Sequence, residues 1–92
     1  MLDIPKDQTV LVQIGAAWCG PCRVMKPIAQ EVAEKAGVLF VYAALEECPG
    51  IDAVYEINSV PTFLVFVDGK EVDRFVGARS KAVVDAFLRR YV

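Results

Sequence analysis

Trp18-Cys19-Gly20-Pro21-Cys22 sets two cysteines three positions apart. The apolar run Val10-Leu11-Val12-Gln13-Ile14 comes shortly before it, and residues 23–36, which read as a helix, follow at once. Two thiols at this spacing can close a disulfide with each other or open it to a partner. That chemistry needs one thiol ionised near neutral pH. A helix start supplies the means, because its unpaired backbone N–H groups and its dipole favour a thiolate. Pro21 stiffens the turn and lacks an N–H where a helix start can spare one. A cysteine pair that follows a strand and opens a helix is a redox signature.

Outward from this motif, Val10–Ile14 reads as a buried strand by its near-continuous apolar run. The helix after Cys19 directs Val24, Met25, Ile28, Ala29, Val32 and Ala36 to the core. Pro27 lies inside it and removes its bond to the carbonyl of Arg23. Gly37 ends it. Val38–Ala43 is a second buried strand. Ile51–Ile57 fits a short helix with Asn58 as a left-handed cap. Thr62–Val67 and Val72–Val76 flank Asp68-Gly69, a hairpin turn signal. Arg79–Tyr91 closes the sequence as an amphipathic helix on Val83, Val84, Phe87, Leu88 and Tyr91. The order β-α-β-α-β-β-α predicts an α/β fold, with a parallel pair joined by a right-handed crossover and an antiparallel hairpin.

Ninety-two residues suit one domain, 1–92, with residues 1–8 as a short N-terminal extension. An apolar content of 55% argues against disorder, and a net charge of −2 offers no basic field for nucleic acid. No apolar run reaches the length of a membrane span. Val10–Ala17 has the apolarity of a signal core, but Asp3, Lys6 and Asp7 before it are not a positive cluster. The chain is therefore read as cytoplasmic. Three cysteines are too few for a secreted disulfide scaffold. With no histidine, they are also too few for a four-ligand zinc site, so no metal is expected.

Trp18-Cys19-Gly20-Pro21-Cys22, Pro27, Val60-Pro61-Thr62, Asp68-Gly69-Lys70 and Gly77 occur in the order and spacing of thioredoxins. The resemblance covers roughly residues 8 to 92. It implies a thioredoxin-like fold with a mixed four-stranded sheet and helices on both faces, lacking the family's usual first strand and helix. In the family that strand covers the edge formed by the counterpart of Val38–Ala43. Leu2-Asp3-Ile4 or a partner is left to cover it here, and an open apolar edge allows weak dimerisation.

The resemblance also assigns roles. Cys19 is the nucleophile and the more exposed sulfur, and Cys22 resolves the mixed disulfide. Trp18 borders the active site, and Gly20-Pro21 tunes the reduction potential. Val60–Pro61 is expected to be cis and to face Cys19, leaving the Val60 backbone free to pair with an extended substrate. Gly77 and Ala78 form the other wall of the substrate groove, with a strand-end bulge as the plainer reading of Gly77. Two departures stand out. Where thioredoxins usually bury an Asp below the cysteines, this chain has Gln13. The frequent Lys partner aligns with Tyr42. Gln13 cannot act as a carboxylate base; it modulates the site by hydrogen bonding or is simply a core amide. Cys48 reads as a small hydrophobe in a loop, or as a third redox thiol. Glu46 and Glu47 beside it discourage its ionisation.

The implied function is reduction of protein disulfides by dithiol exchange, with no bound cofactor. Electrons would come from thioredoxin reductase (NADPH and FAD) or from a ferredoxin-linked reductase. The partners are that reductase and disulfide-containing clients, and the protein is expected to be a monomer. A glutathione-dependent, glutaredoxin-like reductase is a second reading, although glutaredoxins typically carry Pro-Tyr between the cysteines. A third is an accessory subunit that docks on a larger enzyme through the groove.

Overall fold

The computed structural model describes residues 2–92. Seven elements follow in the expected order: β1 (Thr9–Gly15), α1 (Gly20–Ala36), β2 (Leu39–Ala44), α2 (Ile51–Val54), β3 (Thr62–Val67), β4 (Lys70–Val76) and α3 (Lys81–Arg89). The strands form one mixed sheet in the order β2-β1-β3-β4. β1 runs parallel to β2 and antiparallel to β3, and β3 and β4 form an antiparallel hairpin.

The unbroken apolar character of β1 has a direct cause. β1 is a central strand with a core on each face, and every residue from Val10 to Gly15 is buried. Leu11 meets Phe63, Val65, Met25, Ala29, Val32 and Leu88 beneath α1 and α3. Val10, Val12 and Ile14 meet Leu64, Phe66 and Ile51 on the α2 side. Leu2 and Ile4 also pack on that side. The Asp68-Gly69 turn has φ of 53° and 81°, the paired left-handed geometry that tight two-residue hairpins use. α1 ends as Gly37 predicts, at φ 71°. The N–H of Val38 donates to the Ala33 carbonyl at 2.8 Å, and that of Gly37 to the Glu34 carbonyl at 3.2 Å, so the last turn keeps its acceptors satisfied.

Several details differ from expectation. Val24 and Val83 face water at 63% and 50% exposure. The inward stripe of α1 is narrower and centres on Met25, Ala29, Val32 and Ala33. α2 is a single turn, and the left-handed residue after it is Glu56 (φ 54°) rather than Asn58. β2 begins one residue later than predicted and is only half buried along its middle, as befits an edge strand. β4 begins two residues earlier, at Lys70, and its register shifts where Val65 pairs Asp73 but Phe66 pairs Glu71. α3 starts at Lys81 behind Ser80, whose hydroxyl accepts the Val83 N–H at 3.2 Å. Leu2 and Ile4 do not lie along β2. The Leu2 N–H instead donates to the Tyr55 hydroxyl at 3.2 Å. Among the described residues, the outer edge of β2 has no strand partner.

A polar clasp fastens the C-terminus to β4. The Asp73 carboxylate accepts the Tyr91 hydroxyl at 2.5 Å and the Arg90 guanidinium at 2.6 Å. The Tyr91 hydrogen bond, with help from the Arg74 N–H and from Arg90, holds the Asp73 carboxyl below its ordinary range. A carboxyl with a depressed folded-state pKa stabilises the fold above its unfolded pKa and loses that contribution as pH falls through the folded value. Asp73→Asn should therefore destabilise the protein at neutral pH, by about 1 kcal/mol or less for a half-buried carboxylate with an exposed Arg90 partner. The gap from the native protein should close toward about pH 2. Denaturant melts at the two pH values check this, and a gap of equal size at both would refute it.

Candidate active site

The chain leaves the C-terminal end of β1, turns at Ala16-Ala17-Trp18 and enters α1. The Cys19 N–H closes this turn on the Ala16 carbonyl at 3.1 Å. Cys19 and Cys22 are joined as a disulfide with their Cα atoms 5.3 Å apart. Cys19 is the N-cap of α1, and its sulfur accepts the Cys22 N–H at 3.2 Å. Pro21 sits in the first helical turn, where no intrahelical donor is needed. The disulfide is well covered. Cys22 is fully buried and Cys19 is 4% exposed, so the expected order of exposure holds by a small margin. Ala16 completes the cluster, with Leu45 and Val60 against it.

The Trp18 side chain is 74% exposed. Its loop is braced on both sides, the Ala17 N–H donating to Glu46 Oε1 at 2.8 Å and the Ala17 carbonyl accepting from Arg23 at 2.8 Å. Gly20 is half buried and Pro21 exposed. The Val60–Pro61 bond is cis. Pro61 is buried, and its carbonyl accepts the Gly77 N–H at 2.8 Å, which ties the two loops together. Gly77 has φ of 93°, a conformation that strains any residue with a Cβ. Ala78 beside it is exposed. In the sequence Glu46 stands out only as a neighbour of Cys48, and no spacing signal aims it at Ala17. Cys48 is a free, half-buried thiol packed in the α2-side core, consistent with the small-hydrophobe reading.

Gln13 lies beneath the helix start, fully buried. Its Nε2 donates to the Cys22 carbonyl at 3.0 Å. Its Oε1 is buried with no protein partner among the described residues. Tyr42 is its register partner on β2. The Tyr42 ring reaches back over Gly15, and the Lys26 ammonium lies 4.4 Å from the ring centroid. Burial, then Glu46 and Glu47, push the Tyr42 phenol up. A Cβ on Gly15 would stand 2.9 Å from Tyr42 Cζ and closer to the hydroxyl. Gly15→Ala should cost about 1–3 kcal/mol by overpacking. In a Tyr42→Ala background most of that cost should vanish, as a double-mutant cycle of melts would report. An equal cost in both backgrounds would mean that Tyr42 is not what fills the space.

No group of three or more His, Cys, Asp or Glu among the described residues is arranged to hold a metal ion. No helix among them is long and apolar enough to cross a membrane. Two cysteines at a strand-to-helix junction, already joined, can take up and release an electron pair with its protons. The class this defines is a thiol–disulfide oxidoreductase acting on protein disulfides.

The chain belongs to the thioredoxin family: the family model described as Thioredoxin matches residues 2–90. It is similar to a thioredoxin of Porphyra purpurea, 36% identical over 91 residues, 97% of this chain and 85% of that one. It is similar to chloroplastic thioredoxin Y2 of Arabidopsis thaliana, 46% identical over 74 residues, 78% of this chain and 44% of that one. In structure it is similar to the reduced Schistosoma mansoni thioredoxin pre-protein, with a TM-score of 0.85 and 32% identity over 95% of this chain and 82% of that one. Members of the family act on disulfide-containing clients, are recharged by a reductase and use no bound cofactor.

Proposed function

We propose that Cys19 is the sulfur that attacks the client and Cys22 the one that resolves. The observation that carries this is the cap. Cys19 Sγ faces the Cys22 N–H at 3.2 Å at the positive end of a 17-residue helix, which favours a thiolate there. In the reduced protein the Cys19 thiolate attacks one sulfur of the client disulfide. A mixed disulfide forms and the other client sulfur leaves as a thiolate, which takes a proton. Cys22 loses its proton and attacks Cys19 Sγ, and the second client thiol departs. The client gains two electrons and two protons, and the Cys19–Cys22 disulfide described above is the product.

Trp18, Gly20, Pro21, Val60, Pro61, Gly77 and Ala78 form the surface on which the client lies, and Gln13 modulates Cys22 from below. The protein acts as a single domain, residues 1–92, monomeric and cytoplasmic, and the open edge of β2 supports at most a weak dimer. Its electrons come from an NADPH-linked thioredoxin reductase carrying FAD, or from a ferredoxin-linked reductase. The test is insulin-disulfide reduction with each reductase in turn, alongside a redox titration of Cys19–Cys22. Turnover with neither reductase, although dithiothreitol supports it, would reject both electron donors.

A further inference from the structure

Beside the disulfide lies a cleft of about 230 Å³. It is continuous with the redox centre, because Leu45 and Val60 line it and also pack against the cysteine cluster. Its volume is below the roughly 300–1,000 Å³ of sites for drug-sized molecules and suits one side chain. Most of its wall is apolar or neutral. Asp52 is the one charged residue that lines it. The Asp52 carboxylate is exposed, and no Lys or Arg among the described residues pairs with it. Trp18 also lines it, with most of its side chain in water.

The charge of the surrounding chain has the same sign. From Ala36 to Gly69 there are five acidic residues and no basic one. Glu46, one of the five, braces the Trp18 loop through Ala17. Arg23, the cation bound to that loop, is held by the Ala17 carbonyl and does not line the cleft. A half-apolar slot with a lone carboxylate and an exposed indole suits a long cationic side chain. Its methylene stem can lie on Leu45 and Val60, and its charged head can meet the carboxylate and the indole face.

We infer that this cleft is a charge-selective client subsite, which takes a Lys or Arg side chain of the disulfide-bearing polypeptide close to the cysteine under attack. The inference rests on the reading of Cys19 as the attacking sulfur.

The experiment uses matched disulfide-linked peptides with Arg, Gln or Glu at each of the two positions on either side of the cysteine. Each kcat/KM is divided by the rate with dithiothreitol, which removes the intrinsic effect of charge on thiol reactivity. At low ionic strength the Arg peptide should exceed the Glu peptide at one or more positions by about fivefold, as an exposed charge contact allows. The ratio should shrink in about 0.5 M salt. Asp52→Asn should flatten it, and Asp52→Lys should invert it. Equal rates for Arg and Glu at every position in the native protein, or a ratio that persists in Asp52→Lys, would overturn the inference alone. If the native protein failed to reduce even the Gln peptides, the proposed roles of the cysteines would fall and the inference with them.

Discussion

Cys19→Ser should remove turnover of protein disulfides by at least about a thousandfold, and Cys22→Ser should remove it as completely by a different route. Without Cys19 Sγ no attack should begin, because Cys22 lies deeper, one turn inside α1 and fully buried, while Cys19 caps the helix end. Without Cys22 the attack goes forward and stops. The mixed disulfide accumulates one-to-one on Cys19, since no second thiol stands behind it. Cys48 is not expected to substitute, because its half-buried side chain packs in the α2-side cluster and not in the cluster of Cys19 and Cys22. Mass spectrometry of alkylated reaction mixtures distinguishes the two variants. A Cys22→Ser protein that turned over at the native rate without added thiol would disprove the two-cysteine mechanism.

Gln13→Asp should produce two large and opposite effects. In the resolving step Cys22 must become a thiolate in a buried place, where low polarity disfavours charge. An aspartate there can take the proton, and an amide cannot. Resolution of the mixed disulfide should become faster above neutral pH, as rapid-quench trapping would measure. Stability moves the other way. Burial raises the folded-state pKa of the new carboxyl above its unfolded value. The unfolded chain then binds fewer protons between the two values, so stability falls as pH rises through that interval. Below the unfolded pKa the electrostatic penalty is absent; above the folded one it is complete. A shift of about two to three units corresponds to roughly 3–4 kcal/mol. The variant also loses the Nε2 donor to the Cys22 carbonyl, a cost present at every pH. An unchanged resolution rate with a pH-independent loss of stability would mean that position 13 does not act on Cys22.

The element order and the redox pair were legible because each rests on local chemistry. A central strand must be apolar on both faces, Gly37 must end α1, Asp68-Gly69 must turn, and the two cysteines must sit at a helix start. What the sequence concealed depends on distant partners. Val24 and Val83 look like core residues by type, yet they fall just outside the stripes that α1 and α3 turn inward. Nothing in the spacing of Leu2 and Ile4 distinguishes the edge of β2 from the face beside α2. The hydroxyl of Tyr55, more than fifty residues away, makes that difference. The brace from Glu46 to Ala17 and the seat of Asp52 in the cleft are long-range facts of the same kind. Gln13 was recognisable as a departure, but its bond to the Cys22 carbonyl required the fold.

The strand order has a consequence for how the protein comes into being. The first strand of the chain is an inner strand of the sheet. β1, α1 and β2 can associate early, because their contacts span a short loop. β1 stays uncovered on its other side until β3 arrives, and Thr9 then pairs with Val67 across almost two-thirds of the chain. Closing so long a loop is the slow, entropically costly part of assembly. The Val60-Pro61 segment that flanks the cysteines enters with that same strand. A chain still emerging from the ribosome can therefore carry Cys19 and Cys22 on a formed helix and have no site around them. Acquired reductase activity during refolding should track the docking of β3, lagging the recovery of helical signal.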